Sequence, residues 1–196
     1  MMLKAIEGPS FAGKTTRLAR YSDKTVIHEI LDARRAPPHA DETSDADIAD
    51  NDHWFLSEEL ERWRTAVMMG TPVILDRCVL SQLIHWEVRR KTLGIETAVG
   101  VHERMAESLE GDLSIPALEL LLPPFQVVVS RRAARGVSDL ATVAKYQSLE
   151  YLSASYNTYR SVADRYGSRA GSQIWAISSE QAHALVNTWL SRSSFI

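Results

Sequence analysis

With 196 residues, 45% of them hydrophobic and 24% charged, the chain has the size and balance of one soluble globular domain able to bury its own core. No run approaches the ~18 apolar residues of a membrane span, and a net charge of -3 supplies no bulk positive field to draw the chain onto nucleic acid, although a local basic groove remains compatible with it. The lone cysteine, Cys78, excludes an internal disulfide and a cysteine-rich metal site; with a start that runs straight into a strand pattern, the expectation is a cytoplasmic protein without a secretion signal.

Short apolar runs alternate with longer stretches of helical period, which predicts an α/β fold around a parallel sheet, with strands at 3–7, 25–30, 73–76, 118–122 and 174–177. Directly behind the first strand, Gly8-Pro9-Ser10-Phe11-Ala12-Gly13-Lys14-Thr15 fits the pattern of a phosphate-binding loop, with Thr16 opening a helix. Glycines allow backbone amides to turn inward, and a helix N-terminus adds positive potential. Lys14 then offers a point charge to β- and γ-phosphates, and the Thr15 hydroxyl is placed to ligate Mg2+. Residues 36–52, "APPHADETSDADIADND", are proline-led, acidic and aperiodic, so a long surface loop is expected, with a flap over an acceptor site as its functional reading.

Leu56, Leu60, Trp63 and Val67 place one apolar stripe on a helix that ends near Gly70. The segment "VILDRCVLSQLIHW", 73–86, is a strand ending in Asp76 at the carboxyl edge, where open α/β sheets gather their ligands. Asp76 is a candidate for magnesium or its water shell and Arg77 for a phosphate, with Ser81 one turn further on; a structural ion pair is the alternative reading of the Asp-Arg step. In "FQVVVSRRAARG", 125–136, the proline start and glycine end outweigh the branched triplet, and a helix is expected. Arg131 and Arg135, four apart on it, share a face and can grip one phosphate, unless they merely complement the helix dipole. Stripes through Leu149, Leu152, Tyr156, Tyr159, Ala163 and Tyr166, and through Leu185, Val186 and Trp189, predict two further helices that face the core.

In this order the motifs resemble those of the thymidylate kinase and deoxynucleoside kinase group of P-loop kinases, over nearly the whole chain. "IEGPSFAGKTT" resembles the first strand and phosphate loop, and "HEI" (28–30) the acidic residue after strand two. "MGTPVILDRCVLSQLIHW" resembles the Asp-Arg segment with its serine, and "PALELLLPPFQVVVSRRAARG" strand four, a proline-started helix and the arginines leading into the lid. "LEYLSASY" and "IWAISSEQ" resemble the helix after the lid and the adenine-side loop.

The resemblance implies a three-layer α/β/α P-loop fold with a five-stranded parallel sheet and a small lid at about 131–147, with ATP and Mg2+ as cofactors. It assigns Lys14 and Thr15 to the donor nucleotide, Arg131 and Arg135 to a lid closing on its phosphates, and Asp76 with Arg77 to the transferring group. Glu29, at the end of strand two, corresponds to the carboxylate that steers the proton of an attacking sugar hydroxyl; a solvated strand end is its plain alternative. Phe55, His85 and Trp86, together with Trp54, fall where the group lines its base pocket, though each also suits ordinary packing. The position of the acceptor-phosphate arginine of thymidylate kinases falls near Phe55 or Glu59, neither of which can bind phosphate, and Arg62 lies a turn beyond. The expectation is an ATP-dependent kinase of a nucleoside or nucleoside monophosphate, with a hydroxyl on DNA or another small molecule as alternative acceptors. A nucleotide-dependent switch is the non-kinase alternative. One domain is expected, without membrane association, and a homodimer is compatible with the group.

Overall fold

The computed structural model describes residues 3–29, 36–110, 115–136 and 141–193. Its centre is β1 (Leu3–Glu7), flanked in parallel by β3 (Val73–Asp76) and β4 (Ala117–Leu121), with β2 (Thr25–Ile27) outside β3. Ala5, Ile6, Val73, Leu75 and Leu120 are buried because both faces of a parallel sheet are covered, which is why these strands read as apolar runs. On one face, α1 (Lys14–Leu18) continues into a 3-10 turn at Ala19–Tyr21, and Leu18 packs on Ile6, Ile74 and Leu121. The other face carries α2 (Asp45–Met68), α3 (Val79–Leu93) and α4 (Val101–Glu110). After β4 come α5 (Phe125–Arg135), α6 (Ala141–Tyr146) and α7 (Leu149–Tyr166). Leu56, Leu60 and Trp63 of α2 and Leu152, Tyr159 and Ala163 of α7 are buried in this larger core, as their spacing predicts; Leu149 is exposed.

The sheet differs from the expected five parallel strands. It has six among the described residues, in the order β2-β3-β1-β4-β6-β5, where β5 (Ser168–Gly171) and β6 (Ile174–Ile177) form a hairpin ahead of α8 (Ser179–Ser193). β6 runs antiparallel to β4, pairing Leu118 with Ile177 and Leu121 with Ile174. The "IWAISSEQ" segment therefore ends beside the start of β4, at the edge opposite the phosphate loop, and the sequence-based placement of an adenine-side loop there is corrected. β5 itself, "SRAG", is an exposed edge with no apolar alternation to announce it.

Two boundaries also shift. The strand expected at 25–30 ends at Ile27, and positions 30–35 lie outside the described residues. The acidic 36–52 segment is not all loop, because α2 starts at Asp45. Ser44 caps it: its Oγ accepts from the Asp47 amide at 3.2 Å while Asp47 Oδ2 accepts from the Ser44 amide at 2.9 Å. This reciprocal box places acidic side chains in the first turn, where the helix dipole favours them, so acidity here marks a helix start. The preceding stretch is tied down by Glu42, which accepts from Tyr146 at 2.6 Å and pairs with Lys145 at 3.0 Å, both on α6.

Glu119 of β4 anchors the α1 face. Buried itself, it pairs with Lys4 at 2.7 Å and with Arg17, and accepts from the Tyr21 hydroxyl at 3.0 Å. Burial alone would raise its pKa; hydrogen bonds from Arg17 and Lys4 outweigh that and hold it at about 2. Glu119→Gln should cost about 2 kcal/mol of stability at pH 7 in denaturant unfolding, because two cations lose their counter-charge. The folded pKa lies below the ordinary 4.5, so the wild type loses this margin as pH falls from there toward 2, and the two proteins should converge in acid.

Candidate active site

Residues 8–15 turn tightly between β1 and α1. Gly8, at φ +144°, has the Leu121 carbonyl oxygen 2.6 Å from where a Cβ would stand, so no side chain fits there. Phe11 is held in the left-handed region at φ 62°. Ala12 donates to Pro9 O at 3.2 Å, and no acceptor among the described residues takes the amides of Ser10, Phe11, Gly13 or Lys14. Lys14 Nζ lies across the loop, donating to Gly8 O and Pro9 O at 3.0 Å each. Burial, then the neighbouring Arg77 guanidinium, lowers its pKa to about 7 against the pull of Glu29, Glu7 and Asp76. Thr15 and Thr16 are exposed at the start of α1.

The register Ile6 to Asp76 brings the Asp-Arg step to the same edge as the loop. Arg77 takes φ 68°, its amide donating to Ile6 O at 3.1 Å. Its guanidinium is 3.1 Å from Ser81 Oγ, 3.5 Å from Gly8 O and 3.1 Å from the Glu29 carboxylate. Asp76 is half-buried with a raised pKa, through desolvation and then Glu29, offset by Lys14, Arg77 and Arg62. Beneath them sits a residue that sequence reasoning missed. Glu7, fully buried, accepts from the Cys78 amide at 2.6 Å, from Ser81 Oγ at 2.5 Å and from the Tyr159 hydroxyl at 3.1 Å. An acid directly after the apolar pair Ala5-Ile6 at the end of the strand was the available signal.

Beside the Asp-Arg step, Glu29, Phe55, Arg77, Ser81 and Gln82 line one small cavity together with the buried Glu58, Glu59 and Arg62. Arg62 does not stand in for an acceptor-phosphate arginine. It is 1% exposed and committed to Glu59 at 2.5 Å, to Asp76 O at 2.7 Å and to Arg77 O at 3.3 Å. Burial raises the Glu59 pKa to about 7 in spite of Arg62. His85, one turn beyond Ser81, lies with Nδ1 2.6 Å from the Tyr151 hydroxyl and its ring edge-on to Tyr146 at 4.7 Å; burial, then Arg89, lowers its pKa to about 3.

Trp86 is not brought to this site. It is buried, donates to Asp52 at 3.0 Å and lines a separate cleft of about 800 Å³ between α3, α7 and α8 that shares no residue with the small cavity or the loop. At 100° per residue it stands roughly 140° round the helix from Ser81, a separation the sequence already contained. Of the two paired arginines, Arg131 reaches the loop, Nη1 lying 2.7 Å from Ala12 O and 3.3 Å from Phe11 O. Arg135 is exposed one turn further along, and 137–140, within the expected lid, lie outside the described residues.

The order of strands and the loop behind β1 are those of the expected α/β P-loop fold. No family model matches the chain, and no curated protein matches its sequence. Among solved structures it is similar to deoxyadenosine kinase from M. mycoides with bound dATP, with a TM-score of 0.60 and 16% identity over 84% of this chain and 85% of that one. The same kinase with bound dCTP gives 0.57 and 17% over 84% of each chain. With dCMP and a flexible dCDP it gives 0.56 and 15% over 97% of this chain and all of that one. At these identities the likeness speaks for the fold.

The depressed Lys14 pKa has a measurable consequence. A polyphosphate placed beside Lys14 would restore the charged form, so if ATP binds there it should take up about half a proton at pH 7 and close to one at pH 8. Calorimetry in two buffers of different ionisation enthalpy reads this directly, and equal heats in both would contradict it.

Proposed function

We propose that the chain is an ATP- and magnesium-dependent kinase that phosphorylates a hydroxyl group of a nucleoside. The observation that carries this reading is the gathering at one sheet edge of a phosphate-binding loop with its lysine, the Asp76-Arg77 step and a carboxylate, Glu29, paired to Arg77 at 3.1 Å. The M. mycoides neighbours, deoxyadenosine kinases holding dATP or dCTP, support it. Phosphoryl transfer asks a protein mainly for positioning and charge neutralisation, which these groups supply.

In this reading the amides of Ser10, Phe11, Gly13 and Lys14, with the Lys14 ammonium, hold the donor's terminal phosphates. Arg131 and Arg135 belong to the lid side. Thr15 and Asp76 are an oxygen donor set suited to Mg2+, which binds through one or two side chains plus phosphate and water. Among the described residues no cluster of three His, Cys, Asp or Glu side chains forms a cage, and Mg2+ at such a site needs none. When bound, the ion would supply charge neutralisation of the donor phosphates. Arg77 orients the group in transfer, Glu29 takes or steers the proton of the attacking hydroxyl, and Phe55, Ser81 and His85 bound the acceptor.

A monophosphate acceptor is disfavoured by the same geometry. Its dianion would meet Glu29, Glu58 and Glu59, while Arg62 is already committed to Glu59 and to two backbone carbonyls. A hydroxyl brings no charge and has use for a carboxylate. With a nucleoside acceptor, Lys14→Ala should lower turnover by about a hundredfold or more, the scale of losing one charge-stabilising donor. Glu29→Gln should lower kcat by about a hundredfold while leaving KM for ATP near its original value. Steady-state kinetics with labelled ATP test both; unchanged turnover in Lys14→Ala would remove the loop from the mechanism.

A further inference from the structure

Two charges on the inner side of α2 are buried without the arrangement that makes burial stabilising. Glu59 and Arg62, three residues apart and so on one face of the helix, are 4% and 1% exposed. They pair through Glu59 Oε2 and Arg62 Nη1 at 2.5 Å, while Glu59 Oε1 and Arg62 Nε find no hydrogen-bond partner among the described residues. A buried ion pair adds stability only where its remaining oxygens and protons are satisfied as well, and apolar side chains of like size often do as well or better. Stability alone therefore does not account for this pair.

What the pair does hold is backbone. Arg62 Nη2 donates to Asp76 O at 2.7 Å and to Arg77 O at 3.3 Å, the carbonyls on either side of Arg77. Arg77 sits at φ 68°, a conformation that persists only where its surroundings impose it. Ile6 and Glu7 hold the amides of residues 77 and 78, and Arg62 holds the carbonyl side of the same turn. A planar guanidinium spans two peptides in a way that the point charge of a lysine does not. With Nε unengaged, that guanidinium is oriented from one end by Glu59 and from the other by the two carbonyls.

We propose that Glu59 and Arg62 are positioning residues for phosphoryl transfer, Arg62 fixing the peptides on either side of Arg77 and the Glu59 carboxylate keeping Arg62 on them, an inference that rests on the kinase reading of this edge. Both act through Arg77. Facing Glu59 are Glu58 and Arg62 on α2 itself, Glu7 of β1, Glu29 after β2, Arg77 after β3, and Cys78 with the Val79 amide at the start of α3. Burial, with Glu7 and Glu29, outweighs Arg62 and the Val79 amide and raises the Glu59 pKa to about 7. As pH falls through that value the carboxylate takes up a proton, its charge-assisted bond to Arg62 weakens, and turnover falls with it.

The test is steady-state kinetics of the full chain with saturating ATP and Mg2+ on each of the four deoxynucleosides, comparing wild type with Glu59→Gln from pH 6 to pH 8, below the thermal midpoint of each protein. Glutamine keeps the shape and does not ionise, so the ratio of the two kcat values cancels every titration the proteins share. That ratio should be about tenfold at pH 8 and shrink to about twofold at pH 6, with KM for ATP within about twofold throughout. Arg62→Lys, which keeps the charge and loses the span, should lower kcat about tenfold at both pH values. The double variant should be no slower than the slower single one, because the two residues act as a unit. A ratio independent of pH, an unchanged kcat, losses that multiply in the double variant, or a raised KM for ATP in place of a lowered kcat overturns the proposal and leaves the kinase reading standing. A wild type that phosphorylates none of the four overturns both.

Discussion

Everything at the loop edge of the sheet is referred to one buried carboxylate. Burying Glu7 without partners would cost several kcal/mol, and three donors from two helices offset that cost: the Cys78 amide at the cap of α3, the Ser81 hydroxyl of α3 and the Tyr159 hydroxyl of α7. Arg77, directly before Cys78 in sequence, sits at φ 68°, a conformation that costs a non-glycine residue about 1 kcal/mol or more and persists where its surroundings over-determine it. Here the Arg77 amide is held by Ile6 and the next amide by Glu7. The arginine side chain is thereby aimed back at Gly8, so the geometry of the loop and of the Asp-Arg step is set by the same two residues at the end of β1.

The electrostatics of the edge follow from this placement. Burial and then the neighbouring Arg77 depress Lys14, and burial and then the neighbouring Glu29 raise Asp76. Such an arrangement stores unfavourable like-charge contacts that a bound polyphosphate with its cation would relieve, the cations facing phosphate and the carboxylates facing metal or a hydroxyl proton. Arg62 shows the opposite use of charge. It closes the back of the pocket by holding the carbonyls of Asp76 and Arg77, which makes it part of the scaffold and not a ligand for substrate.

How much of this could be read from the chain depended on how local the determining physics is. The tight turn at 8–15 was legible because its glycines, lysine and threonine lie within eight residues, and the place of the Asp-Arg step because a strand's end predicts a sheet edge. The start of α2 was hidden by its own capping: Ser44 with Asp47 writes a box in acidic residues that composition alone reads as a solvated loop. The direction of β6 has no local signature, since "IWAI" is equally apolar in either sense; only the partner β5, too polar to be seen, reverses it. Which side of α3 turns toward the small cavity was decidable from helical phase, which places His85 above Ser81 and Trp86 away from it. The commitment of Arg62 to backbone oxygens, and the meeting of Tyr159 with Glu7 across 152 residues of sequence, are tertiary facts that no spacing encodes.

The central claim is that this edge moves the terminal phosphoryl group of ATP onto a nucleoside hydroxyl. Phosphorus NMR of the chain incubated with ATP, Mg2+ and a mixture of nucleosides observes that transfer itself. The account predicts growth of a phosphate monoester resonance coupled to the methylene protons of a nucleoside as ATP is converted to ADP; conversion of ATP to ADP and inorganic phosphate alone would contradict it.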